Sequence, residues 1–279
     1  MDISSYSQND MKRLFVFSLL MLAVVTATAQ SVLTGTIKNS QGARVEFVSI
    51  GVEGDSIGTV SDGNGHYSLT IPAGAKGTLK FSHISYAPYT IALQEVLGKK
   101  QMDVTLKGCV QDLADVNIVY GKKTKTISSK GIKGPGTLKI SGTKCCFEAG
   151  PVVKVGSDYA ISHLILPVRS TTYSACTLAI EVYEVVGDKF NIVMRKPIYR
   201  TLKKGGSQRL DIIPEEGIIL KKGHRYYVGV RLVEVKSDGH IEFPAYFKSG
   251  YARNFVMGKR KKIPATLGME VKGVKVERE

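Results

Sequence analysis

The sequence predicts an all-β protein: an N-terminal signal helix, then a seven-stranded sandwich, then a second β-sandwich or jelly-roll-like domain. Two observations carry this. From residue 32 to 107 short alternating segments are separated by turn chemistry, and beyond residue 159 the segments are longer and apolar. The clearest single stretch is Gly58-Thr-Val-Ser-Asp-Gly-Asn-Gly-His-Tyr-Ser-Leu69. Asp62 and Asn64 can fold back onto the backbone and Gly63 and Gly65 tolerate positive φ, which makes a tight reversal. From Tyr67 onward, Tyr67, Leu69 and Ile71 alternate with Ser68 and Thr70, the pattern of a half-buried strand.

In chain order, Met11-Lys-Arg13 precedes the apolar run Leu14–Val25, and Ala27-Thr-Ala29 follows with small residues. This is the layout of a secretory signal cut after Ala29. The apolar run, at about 12 residues, falls short of the about 20 that span a bilayer. Met1–Asp10 fit no part of a signal, so Met1 and Met11 both stand as candidate starts. Residues 1–29 are therefore expected to be removed on export, leaving the protein in the periplasm or at the cell surface.

The first sandwich is expected over residues 31–120, with strands at Val32–Ile37, Val45–Ile50, Ser56–Val60, His66–Ile71, Gly77–Ile84, Thr90–Leu93 and Met102–Leu106. Asn39-Ser-Gln-Gly42, Asp62-Gly-Asn-Gly65 and Pro72–Gly77 separate them. Strands of this number and spacing suit a sandwich of about immunoglobulin size. The order of Leu33-Thr-Gly-Thr-Ile37, Val45–Ile50, Thr59–Leu69 and Leu79–Tyr86, closed by Leu113–Tyr120, resembles the carboxypeptidase-like regulatory domains. The resemblance implies a prealbumin-like sandwich of the kind attached to some metallocarboxypeptidases and placed before many outer-membrane receptors of Gram-negative bacteria. Ser85 stands where that family commonly has glycine.

Residues 121–136, polar and rich in lysine, read as a basic linker. The second domain, 137–279, shows strands at Tyr159–Val168, Thr177–Val186, Phe190–Arg195, Gln208–Ile213, Arg225–Val235 and Ile241–Phe247. Leu178, Ile180 and Val182 share one face of the second of these.

Lys and Arg total 39 against 24 Asp and Glu. Export argues against nucleic acid as the partner of this charge. It favours another envelope protein, an anionic surface polymer or a peripheral membrane-surface contact. The four cysteines include the adjacent Cys145 and Cys146, which point to opposite faces in a strand, so a bridge from Cys146 to Cys176 competes with unbridged thiols.

The sequence offers no residue set for catalysis. None of the five histidines has the spacing of a zinc-peptidase ligand set. Gly54-Asp-Ser-Ile-Gly58 matches a nucleophile elbow but leads into a strand where that motif needs a helix. Asp62-Gly-Asn-Gly-His66 starts like a calcium loop, yet Ala73 stands where the closing glutamate belongs. No cofactor and no metal are expected. What remains is a surface: Tyr246, Phe247, Lys248, Tyr251 and Arg253, with Lys259 and Arg260 just beyond, mix aromatic and cationic side chains. The reading is an exported, non-catalytic binding or scaffolding protein of the cell envelope. The alternative is an envelope hydrolase whose site lies in the second domain, for which a concave cluster of carboxylates with shifted titration would speak.

Overall fold

The structure is a computed structural model that describes residues 30–109, 124–142, 147–254 and 259–276. The expected signal at 1–29 lies outside the described residues. Among these residues the fold is all-β, with one 3-10 turn at Leu93–Glu95. Seven strands form two sheets in the first part: β1 (Ser31–Asn39), β2 (Ser49–Val52), β3 (Gly58–Val60), β4 (His66–Ile71), β5 (Thr78–Ser82), β6 (Tyr89–Ala92) and β7 (Val104–Leu106). One sheet runs β4-β1-β7 and the other β3-β2-β5-β6. Their facing sides bury Leu33, Ile37, Ile50, Leu69, Ile71, Leu79 and Phe81 in one core.

The turn before β4 is shaped as its residues dictate. Asp62 Oδ1 accepts the amide protons of Asn64 and His66, each at 2.8 Å. Of the two flanking glycines only Gly65 takes positive φ, at 72°, and a Cβ there would lie 2.7 Å from the Ile37 carbonyl. The strand expected at Val45–Ile50 begins only at Ser49. The reason is Phe47, whose φ of 52° is left-handed and breaks the extended run. Its ring is carried out of the first core and packs edge-on against Tyr199, centroids 4.9 Å apart, in the second part.

Thirteen strands build the second part: β8 (Lys125–Ser128), β9 (Ile132–Ile140), β10 (Phe147–Lys154), β11 (Tyr159–Val168), β12 (Ser170–Val186), β13 (Lys189–Ile192), β14 (Ile198–Gly205), β15 (Gln208–Ile212), β16 (Ile219–Leu220), β17 (Arg225–Val235), β18 (Ile241–Asn254), β19 (Lys259–Leu267) and β20 (Glu270–Lys275). An eight-stranded sheet runs β13-β12-β17-β10-β18-β19 with β14 on β12 and β9 on β18. A five-stranded sheet runs β15-β11-β20-β8 with β16 on β11. Leu178, Ile180 and Val182 of β12, Val228 and Val230 of β17 and Leu164 and Leu166 of β11 fill the core between them.

The stretch 121–136, expected as a linker, contributes paired backbone. β8 pairs with β20, and β9 pairs with β18. Lys125 and Lys133 mark strands at sheet margins, where charged side chains reach solvent while the backbone is hydrogen-bonded. Cys176 is a free thiol buried beside Thr171, Sγ to Oγ1 3.8 Å, so the expected bridge from it is not formed. Its proposed partner Cys146 lies outside the described residues.

Candidate functional site

Strand alternation gives the eight-stranded sheet a second face, turned away from its core, and this face is charged. In β17, Tyr226, Val228 and Val230 point into the core while Tyr227 and Arg231 take the other side; in β12, Glu181 and Tyr183 do the same. The register sets Arg231 beside Glu148, Glu148 beside Arg253, and Arg253 beside Arg260, a row across β17, β10, β18 and β19. Gly229 makes the room: a Cβ there would sit 2.2 Å from the Glu148 carboxyl carbon.

Arg231, 3 % exposed, donates to Glu181 Oε1 through Nε at 3.3 Å and Nη2 at 2.9 Å, and through Nη1 to Ser49 Oγ at 2.8 Å. Ser49 belongs to β2, so this guanidinium ties the two parts together. The Tyr183 hydroxyl donates to the other Glu181 oxygen. Arg253 lies 3.2 Å from Glu148 and stacks over Phe190 at 4.1 Å and Tyr183 at 4.5 Å. The two carboxylates titrate in opposite directions. Burial pushes Glu148 up to about 7, with Arg253 only partly opposing it. Burial acts on Glu181 the same way, but Arg231 and Tyr183 outweigh it and hold the carboxyl below its usual range.

The first part covers this face. His83 accepts the Ser85 amide proton at Nδ1 (3.2 Å), which leaves its own proton on Nε2, 3.2 Å from the Tyr199 hydroxyl. Burial, and after it Arg231, lowers His83 to about 4. Ser85 Oγ donates to the Arg195 carbonyl at 2.6 Å. Phe47 and Val60 pack with Ala179, Tyr199 and Val233. Two clefts remain between the parts. One of about 750 Å³ has Arg44, Tyr86, Arg195, Arg200 and Glu216 in its walls, and one of about 310 Å³ lies against His83, Glu181, Arg231, Arg253 and Phe190.

The expected surface divides between two environments. Tyr251 is part of the aromatic cluster with Phe190 and Tyr227, and Arg253 is sandwiched within it. Arg260 pairs with Asp188 beside the same Phe190. Tyr246 is half-buried and lies where a Gly268 side chain would be. Lys248 donates to Ser128 Oγ and the Ser129 carbonyl, and burial lowers it to about 8. Phe247, 58 % exposed, and Lys259 face outward, and Arg260 is exposed as well although paired. The sequence reading passed over Glu148, Glu181, Arg231 and His83. A signal was available, since Glu181 and Arg231 are charges set amid apolar neighbours in the middle of two long strands, and such charges are costly to bury unless they meet.

The fold and this braced face define a two-part β protein, and residues 33–118 of its first part match the family model of the CarboxypepD_reg-like domain. The chain is also similar to TonB-dependent receptor P39 of Formosa agariphila, 32 % identical over 114 residues, covering 40 % of this chain and 11 % of that protein. The chain thus spans about a tenth of the length of that relative. Among solved structures, the D431N mutant VP2 protein of infectious bursal disease virus aligns at 9 % identity and TM-score 0.24, over 88 % of this chain and 53 % of that one. The Gx strain of the same virus aligns at 12 % identity and TM-score 0.22, over 88 % of this chain and 62 % of that one. Alignments this loose leave the architecture of the second part defined by its own sheets.

Proposed function

We propose that this is an exported, non-catalytic binding protein of the bacterial cell envelope, in which a prealbumin-like regulatory sandwich braces a second β-sandwich that presents a cationic edge to its partner. The observation that carries this is the contrast between two sets of charges. Those on the covered face are paired with one another, whereas Lys259, Lys261 and Lys262 on β19 are exposed and form no ion pair with the described residues. β19 is also a terminal strand of its sheet. A solvated cationic edge discourages strand pairing with other chains and leaves its charge available to an anionic partner. The similarity to a TonB-dependent receptor supports an envelope setting. The test is retention on an immobilised polyphosphate column: elution of the wild type at markedly higher salt than a Lys259→Ser/Lys261→Ser/Lys262→Ser variant supports the reading, and co-elution refutes it.

The hydrolase reading keeps one specific observation, the split titration of Glu148 and Glu181, an arrangement that suits an acid and a base. Against it, Glu148 is 0 % and Glu181 1 % exposed, and each is held by an arginine. The 310 Å³ cleft reaches Glu181, but there the carboxylate is bound by Arg231 and the Tyr183 hydroxyl, and carboxylates so engaged brace the fold. Glycosidase and esterase activity surviving in wild type but lost in Glu181→Gln, with the unfolding midpoint unchanged, would reverse this assignment.

A further inference from the structure

The outward part of the β9–β18–β19 region has a composition that its charge alone does not explain. Phe247 of β18 is flanked by Ile132 of β9 and Ala265 of β19, so the three share one face across adjacent strands. Ile132 is 76 % exposed and Phe247 58 %. The phenyl ring lies over Gly134, where an added Cβ would stand 3.3 Å from Cε2, so a missing side chain makes its seat. Gly131, with φ 93°, sets the entry to β9 against the Phe247 carbonyl. Two exposed apolar side chains are thus held side by side on paired backbone.

Cations continue from the same place. By alternation Ala265, Ile263, Lys261 and Lys259 occupy one face of β19, the face that meets Phe247. Lys261 stands four residues from Ala265, about 13 Å along the strand, and Lys259 about 7 Å further. The result is a strip roughly 10 Å wide and 20 Å long, apolar at one end and cationic at the other.

We propose that this strip docks the protein on an anionic bilayer surface, with Phe247 and Ile132 entering the boundary between headgroups and acyl chains and Lys259 and Lys261 meeting the lipid phosphates. The inference rests on the cationic-edge reading and deepens it by naming the partner. A soluble polyanion would satisfy the lysines but offer the two apolar side chains nothing, whereas the headgroup boundary satisfies both ends at once. An apolar side chain needs only about 5 to 10 Å of penetration there, which a side chain standing off a sheet edge can supply. Lysines near such a surface each contribute roughly fivefold in partitioning, and the contribution fades within a Debye length, about 8 Å at physiological salt.

The test is co-sedimentation of the full chain with vesicles of phosphatidylcholine alone or with 30 mol % phosphatidylglycerol, the neutral vesicles giving the share due to the apolar N-terminal run. The proposal expects an anionic-lipid increment that falls about 25-fold in Lys259→Ser/Lys261→Ser. It expects a fall of tenfold or more in Ile132→Ser/Phe247→Ser. Because all four side chains reach solvent, the urea midpoints of both variants should match the wild type, which separates lost docking from lost folding. If the apolar variant binds anionic vesicles as the wild type does while both are retained on polyphosphate, the membrane inference falls and the cationic-edge reading stands. If the wild type shows neither an anionic-lipid increment nor retention on polyphosphate, both fall.

Discussion

Replacing Arg231 with methionine tests the brace between the two parts most directly. The substitution keeps a long side chain in the same space but removes three donors: two to Glu181 Oε1 and one to Ser49 Oγ. Glu181, 1 % exposed, would keep only the Tyr183 hydroxyl. Removing one partner of a buried ion pair costs about 3 to 5 kcal/mol, because the remaining charge stays desolvated. The unsatisfied Ser49 hydroxyl adds roughly 1 kcal/mol. A total near 5 kcal/mol at pH 7.5 corresponds to a fall of about 2 M in the urea midpoint for a slope near 2.5 kcal/mol per M. The chain has no tryptophan, so unfolding is followed by far-ultraviolet circular dichroism and tyrosine fluorescence. In Glu181→Gln/Arg231→Met the buried charge is gone and the Tyr183 bond can be kept by the amide, so at least half of the loss should return. A loss below 1 kcal/mol in the single variant, or a double variant no more stable than the single, would refute the account.

Three further outcomes follow from the same region. Burial lowers His83 in the folded chain to about 4, below the ordinary imidazole value of about 6.5, so acidification from 6.5 to 4 protonates the unfolded chain first and removes about 3 kcal/mol of stability. Glu148, pushed up to about 7 by burial, works the other way: its penalty is complete above pH 7 and is relieved as pH falls to 4.5. The two groups therefore oppose each other in wild type, and urea midpoints between pH 4.5 and 6.5 should rise on acidification in His83→Gln and fall in Glu148→Gln; parallel profiles for the two variants would contradict the assignment. Gly229→Ala puts a methyl on the Glu148 carboxyl and should cost about 2 to 3 kcal/mol, whereas Gly136→Ala, with nothing within 4 Å, should stay within about 0.5 kcal/mol by the same urea assay. Tyr199→Phe removes the partner of His83 Nε2 while keeping the ring against Phe47, so it should cost roughly 1 kcal/mol and Tyr199→Ala about 3 or more.

How far the sequence could be read differs between strands and surfaces for a physical reason. Strand existence follows from alternation and turn residues, both local, and β4, β11 and β17 have the expected limits. Val45–Ile50 failed because its pattern is that of a strand, while the left-handed φ at Phe47 is imposed by a non-local demand, the ring's place against Tyr199. The lysines of 121–136 suggested solvation, and Lys125 and Lys133 are exposed; nothing local records that the backbone carrying them pairs with β20 and β18. The candidate surface was half legible. Alternation alone could separate Phe247 from Lys248, but the fate of Tyr251 and Arg253 depended on Phe190, Tyr183 and Glu148, which register brings together from distant strands.

The covered face explains why the two parts need each other. A sheet face carrying Arg231, Glu148, Arg253 and Glu181 could be left in water at little cost, since exposed ion pairs are nearly neutral in stability. Here Glu148, Glu181 and Arg231 are buried, and burial makes each pair obligatory: losing one member strands the other. The first part supplies the cover through Ser49, Phe47, His83 and Ser85, each meeting a specific partner in the second. A module that only displayed a ligand site would keep its turn residues and edges free, but this one spends a left-handed phenylalanine and a buried histidine on its neighbour. These contacts hold one face of the eight-stranded sheet against the first part. That leaves the opposite margin, where β9, β18 and β19 carry Ile132, Phe247, Lys259 and Lys261, as the part of the sheet free to meet something else.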